Sequence, residues 1–128
     1  MIYGVGIDIV EINKIKKIVT HSGDKLAKRI LRESELQIYY SDKYPVHFLS
    51  KHFAAKEAIS KAFGTGMTCG IRFNQFEIFN DALGKPILRL FDNAAFLAKK
   101  LDLVRFHITL SDTCMYACAM VIFESSGK

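Results

Sequence analysis

The chain of 128 residues, half of them hydrophobic and with no low-complexity stretch, repeat or linker, has the length and composition of one domain, residues 1–128, with a moderate core, which excludes a disordered or repetitive chain. Eighteen Lys and Arg against thirteen Asp and Glu leave a formal charge of +5, which favours an anionic partner over a cationic one. No apolar run approaches the roughly eighteen residues of a membrane span, and the N-terminus lacks a basic-then-apolar export signal, so the expected location is the cytoplasm.

The first predicted element is a strand, Ile2 to Val10, rich in β-branched residues. Asp8 interrupts it near its end. Strands disfavour aspartate and interiors reject it unless it is paired or bound to a metal; the alternative is that Asp8 caps the helix that follows. Helices are predicted over Glu11 to His21, Asp24 to Leu31, Ser34 to Ser41 and Val46 to Phe63, with Pro45 and the glycines as punctuation. Lys14, Lys16, Lys17, Lys25, Lys28, Arg29 and Arg32 place much of the positive charge in this first third. Lys14, Lys17 and His21 share a helix face, which serves either solubility or an acidic partner.

The segment Phe53-Ala54-Ala55-Lys56-Glu57-Ala58-Ile59-Ser60-Lys61-Ala62-Phe63-Gly64-Thr65-Gly66 closes the helical half. Helical spacing sets Glu57, Ser60, Lys61 and Gly64 on one face, opposite a buried stripe of Ala55, Ala58, Ile59, Ala62 and Phe63. A glutamate can hold a hard cation, a lysine one turn on can neutralise phosphate, and Gly-Thr-Gly lets backbone amides approach an anion. Taken alone, Glu57 and Lys61 at this spacing are more often a solvated i,i+4 ion pair, and Gly64 a plain helix C-cap.

After Gly70 the pattern changes to short strands at Phe73 to Phe79, Pro86 to Leu90, Phe106 to Leu110 and Ala117 to Glu124, broken by a helix near Asn93 to Leu101. The fold class is therefore α+β. Asp81 to Lys85 reads as a hairpin loop in which Gly84 supplies a positive φ. Cys69, Cys114 and Cys118 show no metal-ligand spacing with the histidines, and Cys114 and Cys118 would point the same way from one strand, so reduced, packed thiols are expected. A nucleic-acid-binding module is the rival class for a basic chain. It lacks support here, because the Phe and Tyr residues fall at core spacings and no stacking motif appears.

The Gly6-Ile7-Asp8-Ile9-Val10-Glu11 opening and the Phe53 to Gly66 block together resemble the holo-[acyl-carrier-protein] synthase family, the short bacterial 4′-phosphopantetheinyl transferases. Arg29-Ile30-Leu31, Ser34-Glu35-Leu36, Phe73-Asn74-Gln75-Phe76-Glu77, Gly84-Lys85-Pro86 and Tyr116-Ala117-Cys118-Ala119 extend the resemblance over nearly the whole chain. It implies the fold of that family, helices packed on a mainly antiparallel sheet, in a single domain that assembles as a homotrimer. Each site would lie at a subunit boundary, with Asp8 and Glu57 from one subunit and part of the nucleotide pocket from its neighbour.

The implied reaction moves the 4′-phosphopantetheine arm of coenzyme A to a serine of apo acyl carrier protein and releases adenosine 3′,5′-bisphosphate, in the service of fatty acid biosynthesis. By the same resemblance Asp8, Glu57 and Lys61 form the catalytic set. Asp8 and Glu57 are the Mg²⁺ ligands, and Lys61, assisted by Lys56, holds a coenzyme A phosphate. Gly64, Thr65 and Gly66 give backbone contact to the nucleotide. The base is Glu57 or a water that it orients. Lys14, Lys17, Lys25 and Lys28 are implied to receive the acidic recognition helix of the carrier protein. Two residues depart from the family pattern: Asp112 stands where many members have His, and His52 where they often have Arg. The runner-up within the class is a transferase serving carrier domains of polyketide or peptide synthetases, or one that accepts acylated coenzyme A.

Overall fold

Strand β1 (Ile2–Glu11) leads into four helices, α1 (Ile12–Ser22), α2 (Lys25–Ile30), α3 (Glu33–Ser41) and α4 (Pro45–Phe63), in the computed structural model, which describes residues 1–64, 67–68 and 70–127. Pro45 occupies the first turn of α4, where its missing N–H leaves no hydrogen bond unmade, and Gly64 ends the helix in the left-handed region at φ 80°. A 3₁₀ turn at Phe73–Gln75 precedes β2 (Phe76–Asn80) and β3 (Pro86–Leu90); α5 (Asp92–Lys100), β4 (Leu103–Asp112) and β5 (Tyr116–Ser125) complete the chain.

The helical first half and strand-rich second half agree with the expected α+β class, and the strands run antiparallel throughout. β5 pairs with both β1 and β4 to give the order β1-β5-β4, while β2 and β3 form a separate hairpin. The hairpin loop turns where expected. Gly84 sits at φ 86°, and the Asp81 carboxylate accepts the backbone N–H groups of Leu83 and Lys85. The predicted strand from Phe73 is corrected to a start at Phe76. Phe73 to Gln75 turn instead, and the Gln75 side chain ties Gly70 to Ala94.

Helix α4 is the spine of the molecule. Ala54, Ala58, Ile59 and Phe63 pack with Phe76, Val121 and Phe123 in one core, and a second core gathers Ile15, Ile30, Tyr39 and Leu49 among α1 to α4. Strand β1 lies directly on α4. A Cβ at Gly6 would fall 1.8 Å from the Ala58 carbonyl oxygen, and one at Gly4 would fall 2.0 Å from that of Ala62. Only glycine on the strand opposite alanine on the helix permits this approach.

Because the sheet covers one side of α4 and helices α2 and α3 the other, the helix is buried on more of its circumference than an amphipathic stripe implies. Ser60, expected on the working face with Glu57 and Lys61, is corrected to the buried side. Lys56 is buried completely. Its ammonium donates to Glu35 Oε1 at 2.6 Å and to the Ile30 carbonyl at 2.6 Å, while Glu35 also accepts the backbone N–H groups of Arg32 and Ile78. This network joins α2, α3, α4 and β2 through one carboxylate. The expected pair of packed thiols is also corrected: Cys114 is exposed in the turn before β5, and Cys118 is partly exposed on β5. Cys69 lies outside the described residues.

Candidate active site

Seating β1 on α4 brings the two sequence motifs together. Asp8 alternates with Gly4 and Gly6 on the inner side of the strand, and its carboxylate meets Lys61 from the last turn of the helix. Lys61 Nζ donates to Asp8 Oδ1 at 3.0 Å and to the Ile7 carbonyl at 2.9 Å. Glu57, one turn earlier on α4, completes the cluster. Burial raises its carboxyl above the ordinary carboxylate value, the Asp8 charge raises it further, and Lys61 opposes the rise. Since α1 begins only at Ile12 after Glu11, Asp8 is not a helix cap.

Two carboxylates that repel each other across a half-open site fit a hard divalent cation, which would relieve that repulsion. Among the described residues no third His, Cys, Asp or Glu joins a metal-binding group. The donor set therefore suits Mg²⁺, which commonly takes one or two carboxylates and completes its shell with water and phosphate oxygens.

Lys56 departs from its expected place beside Lys61. Its ammonium is held in the interior by Glu35, and burial, opposed by Glu35, pulls its pKa down, so it is not placed to meet a ligand from solvent. Helical spacing sets Lys61 with Glu57 and leaves Lys56 off that face, and the packing of α2 and α3 closes the side on which Lys56 lies. Gly64 is the helix C-cap, and its N–H is donated to the Lys61 carbonyl. Thr65 and Gly66 lie outside the described residues.

The four lysines implied to receive the carrier protein are exposed. Lys14 and Lys17 project from α1 and Lys25 and Lys28 from α2, with Lys28 paired to Asp24 at 3.5 Å. A groove of about 510 Å³ between these helices is lined by Ile18, Ser22, Lys25, Leu26 and Arg29. Its apolar floor and cationic rim have the character of a seat for an acidic amphipathic helix.

A second cleft of about 330 Å³ runs between α4, the β2–β3 hairpin and the end of β4, and it shares no lining residue with the Asp8 cluster. Lys51, His52, Gly84, Pro86 and Asp112 are among its walls. The His52 ring stacks on Phe48 at 4.0 Å and places Nδ1 3.0 Å from the Phe48 carbonyl. Its Nε2 is buried without a hydrogen-bond partner among the described residues, 3.8 Å from Glu35 Oε2, and burial lowers its pKa.

Asp112 does not stand alone in this cleft. His47 Nδ1 lies 3.0 Å from Asp112 Oδ2, and Lys51 Nζ lies 3.8 Å from Oδ1. Sequence reasoning passed over His47 and Lys51, for His47 and Asp112 are 65 positions apart and no local spacing links them. His107 is elsewhere, on the outer face of the sheet, where Nε2 meets Glu124 Oε2 at 2.6 Å and this hydrogen bond lowers the Glu124 pKa.

That outer face carries one more feature. Val5, Ile7 and Ile9 of β1 lie across from Ile122, Met120 and Cys118 of β5, and this stripe is largely exposed, Ile7 to 61%.

Comparison with known proteins gives consistent relatives. The family described as the 4′-phosphopantetheinyl transferase superfamily matches residues 4–118. The holo-[acyl-carrier-protein] synthase of Blochmanniella floridana is 74% identical over 124 residues, covering 97% of this chain and 99% of that protein. The crystal structure of the synthase from Neisseria meningitidis superposes with a TM-score of 0.93 at 36% identity, covering 98% of this chain and 100% of the other. A synthase from Bacillus anthracis, solved in complex with CoA (3′,5′-ADP), superposes with a TM-score of 0.82 at 38% identity, covering 98% and 99%.

Proposed function

This chain belongs to the 4′-phosphopantetheinyl transferase superfamily, and from that membership and the Asp8, Glu57 and Lys61 cluster we propose how it works as a holo-[acyl-carrier-protein] synthase. It transfers the 4′-phosphopantetheine arm of coenzyme A to a serine hydroxyl of apo acyl carrier protein. The serine oxygen forms a bond to the phosphorus next to the pantetheine arm. The bridging bond of the pyrophosphate breaks, and adenosine 3′,5′-bisphosphate leaves with that bond's electrons.

The observation that carries the residue assignment is the 3.0 Å contact between Asp8 and Lys61, which joins two segments 53 positions apart beside a second carboxylate. Asp8 and Glu57 are the ligands for Mg²⁺, which when bound supplies positive charge to the pyrophosphate oxygens. Lys61 adds a cation to the same oxygens and holds the donor in place. The base that takes the serine proton is Glu57 or a water that it orients. Thr65 and Gly66 are assigned to the nucleotide by amide contact.

The carrier protein docks on the exposed face of α1 and α2 through Lys14, Lys17, Lys25 and Lys28, of which Lys25 lines the groove between the two helices, with complementary charge raising the association rate. The exposed apolar stripe of β1 and β5 is the contact between copies of the chain. A homotrimer would cover it and would bring the cleft of Lys51, His52 and Asp112 to a neighbour's nucleotide. No helix among the described residues is long and apolar enough to cross a membrane. The proposed setting is the cytoplasm, in supply of holo carrier protein for fatty acid synthesis.

The test is intact mass spectrometry of apo acyl carrier protein after incubation with this chain, coenzyme A and Mg²⁺. A gain of one phosphopantetheine is expected, lost with EDTA and with Glu57→Ala or Asp8→Ala. Full transfer by either variant refutes the site, and a stable, active monomer in sedimentation refutes the trimer.

A further inference from the structure

We propose that Lys56 is a positioning residue for the transfer reaction: its buried ion pair with Glu35 fixes the rotation of α4 about its own axis and so aims Glu57, the next residue, at Asp8. The inference rests on the transferase reading above and adds a residue that acts without touching substrate.

Glu35 is itself fixed in place. It is 1% exposed, Oε1 accepts the Arg32 N–H at 2.9 Å, and Oε2 accepts the Ile78 N–H at 2.9 Å, so the start of α3 and strand β2 hold the carboxylate from two sides. Two residues of α4, one turn apart, face this point. Lys56 Nζ lies 2.6 Å from Oε1, and His52 Nε2 lies 3.8 Å from Oε2. The Lys56 ammonium also donates to the Ile30 carbonyl at the end of α2, at 2.6 Å. Segments from α2, α3 and β2 therefore grip α4 through one side chain.

Packing sets the distance of α4 from β1 but resists its rotation weakly. Gly6 and Gly4 lie against the backbone of Ala58 and Ala62, and a surface of glycine and alanine has no long side chains to interlock. Other polar contacts of α4, His47 and Lys51 with Asp112 near its start and Lys61 with Asp8 at its end, are partly exposed. Lys56 lies between them and is 0% exposed, where a hydrogen bond is stronger than in water. Glu57 follows it about 100° round the helix, so the gripped side and the working side turn together. A rotation of about 10° carries a carboxylate about 6 Å from the helix axis through about 1 Å. A displacement of that size in a reacting group lowers turnover about a hundredfold. Apolar residues of similar volume often replace a buried ion pair without loss of stability, but they do not replace its direction.

The experiment measures urea unfolding, kcat and the KM for apo acyl carrier protein, with coenzyme A and Mg²⁺ present, for the wild type, for Lys56→Met combined with Glu35→Leu, and for Leu88→Ala. The double variant leaves no charge unpaired in the interior. Leu88→Ala removes a buried apolar side chain of β3 and no polar contact of α4, so it controls for lost stability alone. The double variant is expected to keep most of the wild-type stability, with kcat lowered about a hundredfold and the KM for the carrier protein within about twofold. Leu88→Ala is expected to unfold at lower urea with kcat near the wild type. Lys56→Met alone, compared with Leu88→Ala at a temperature where both are folded, is a second route to the same comparison and should show the same hundredfold loss. A kcat within about threefold of wild type in either folded Lys56 variant overturns the proposal. So does an equal loss of turnover in Leu88→Ala, because the ion pair would then act through stability only. Either result with normal transfer by the wild type leaves the transferase reading intact; a wild type that does not modify the carrier protein overturns that reading instead.

Discussion

Gly6 is where a single methyl group would separate the two halves of the site. An alanine Cβ there would lie 1.8 Å from the Ala58 oxygen, 2.8 Å from the Ala58 carbonyl carbon and 3.0 Å from the Ala62 nitrogen, all of them helix backbone that cannot rotate away. The strand must retreat by about 1.5 Å to reach ordinary contact distance, and overpacking of this kind costs about 1–3 kcal/mol. For a domain of 128 residues that corresponds to a fall in melting temperature of about 5–15 °C. Asp8 sits two residues along the displaced strand, so its 3.0 Å contact with Lys61 opens, and a shift of about 1 Å in a reacting group lowers turnover about a hundredfold. Thermal melts and steady-state transfer kinetics measure the two effects side by side. Gly23→Ala is the control: its Cβ meets nothing within 4 Å, so it bears only the backbone strain of φ 65° and ψ −133°, about 1–3 kcal/mol, with turnover unchanged. Wild-type melting and turnover in Gly6→Ala would show that β1 does not bear on α4 and would remove the geometric basis of the site.

Three further outcomes are expected. Glu35→Ala leaves the Lys56 ammonium and the N–H groups of Arg32 and Ile78 without their shared acceptor, at a cost of about 3–5 kcal/mol in urea unfolding, whereas Glu35→Leu with Lys56→Met restores most of it; a single variant within about 1 kcal/mol of wild type refutes the network. Burial lowers the His52 pKa below its ordinary 6.5, so the unfolded chain takes up the proton first: stability is full above about pH 6.5 and falls as pH drops through that value toward the folded pKa. His52→Gln should remove this acid-side fall in a series of unfolding curves, and an unchanged slope would count against a neutral buried imidazole. Lys17→Glu with Lys25→Glu raises KM for the carrier protein about tenfold with little change for coenzyme A, and the difference shrinks with added salt. Equal effects on both substrates would place the carrier elsewhere.

The order of elements was readable in the chain because it is local chemistry. Pro45 and Gly64 bound α4, Gly84 turns the hairpin, and β-branched runs make the strands. Each requirement is met within a few residues, so the α+β class followed from pattern alone. The Asp8 and Glu57 motifs could be named because each carries its own residue types, although only the fold brings them into contact.

Other assignments depended on distant neighbours, and there the tertiary structure decided. Lys56 and Lys61 carry the same charge on one helix. The packing of α2 and α3 encloses Lys56 with Glu35, while the open edge beside β1 leaves Lys61 free to meet Asp8. Asp112 looked like an unexplained charge in sequence; β4 carries it to His47 and Lys51 on α4. Local composition determines which elements form, because backbone propensities and turns act over a few residues. Which side of an element is buried, and which charge meets which, depends on segments far along the chain, and that arrangement exists only once they have packed.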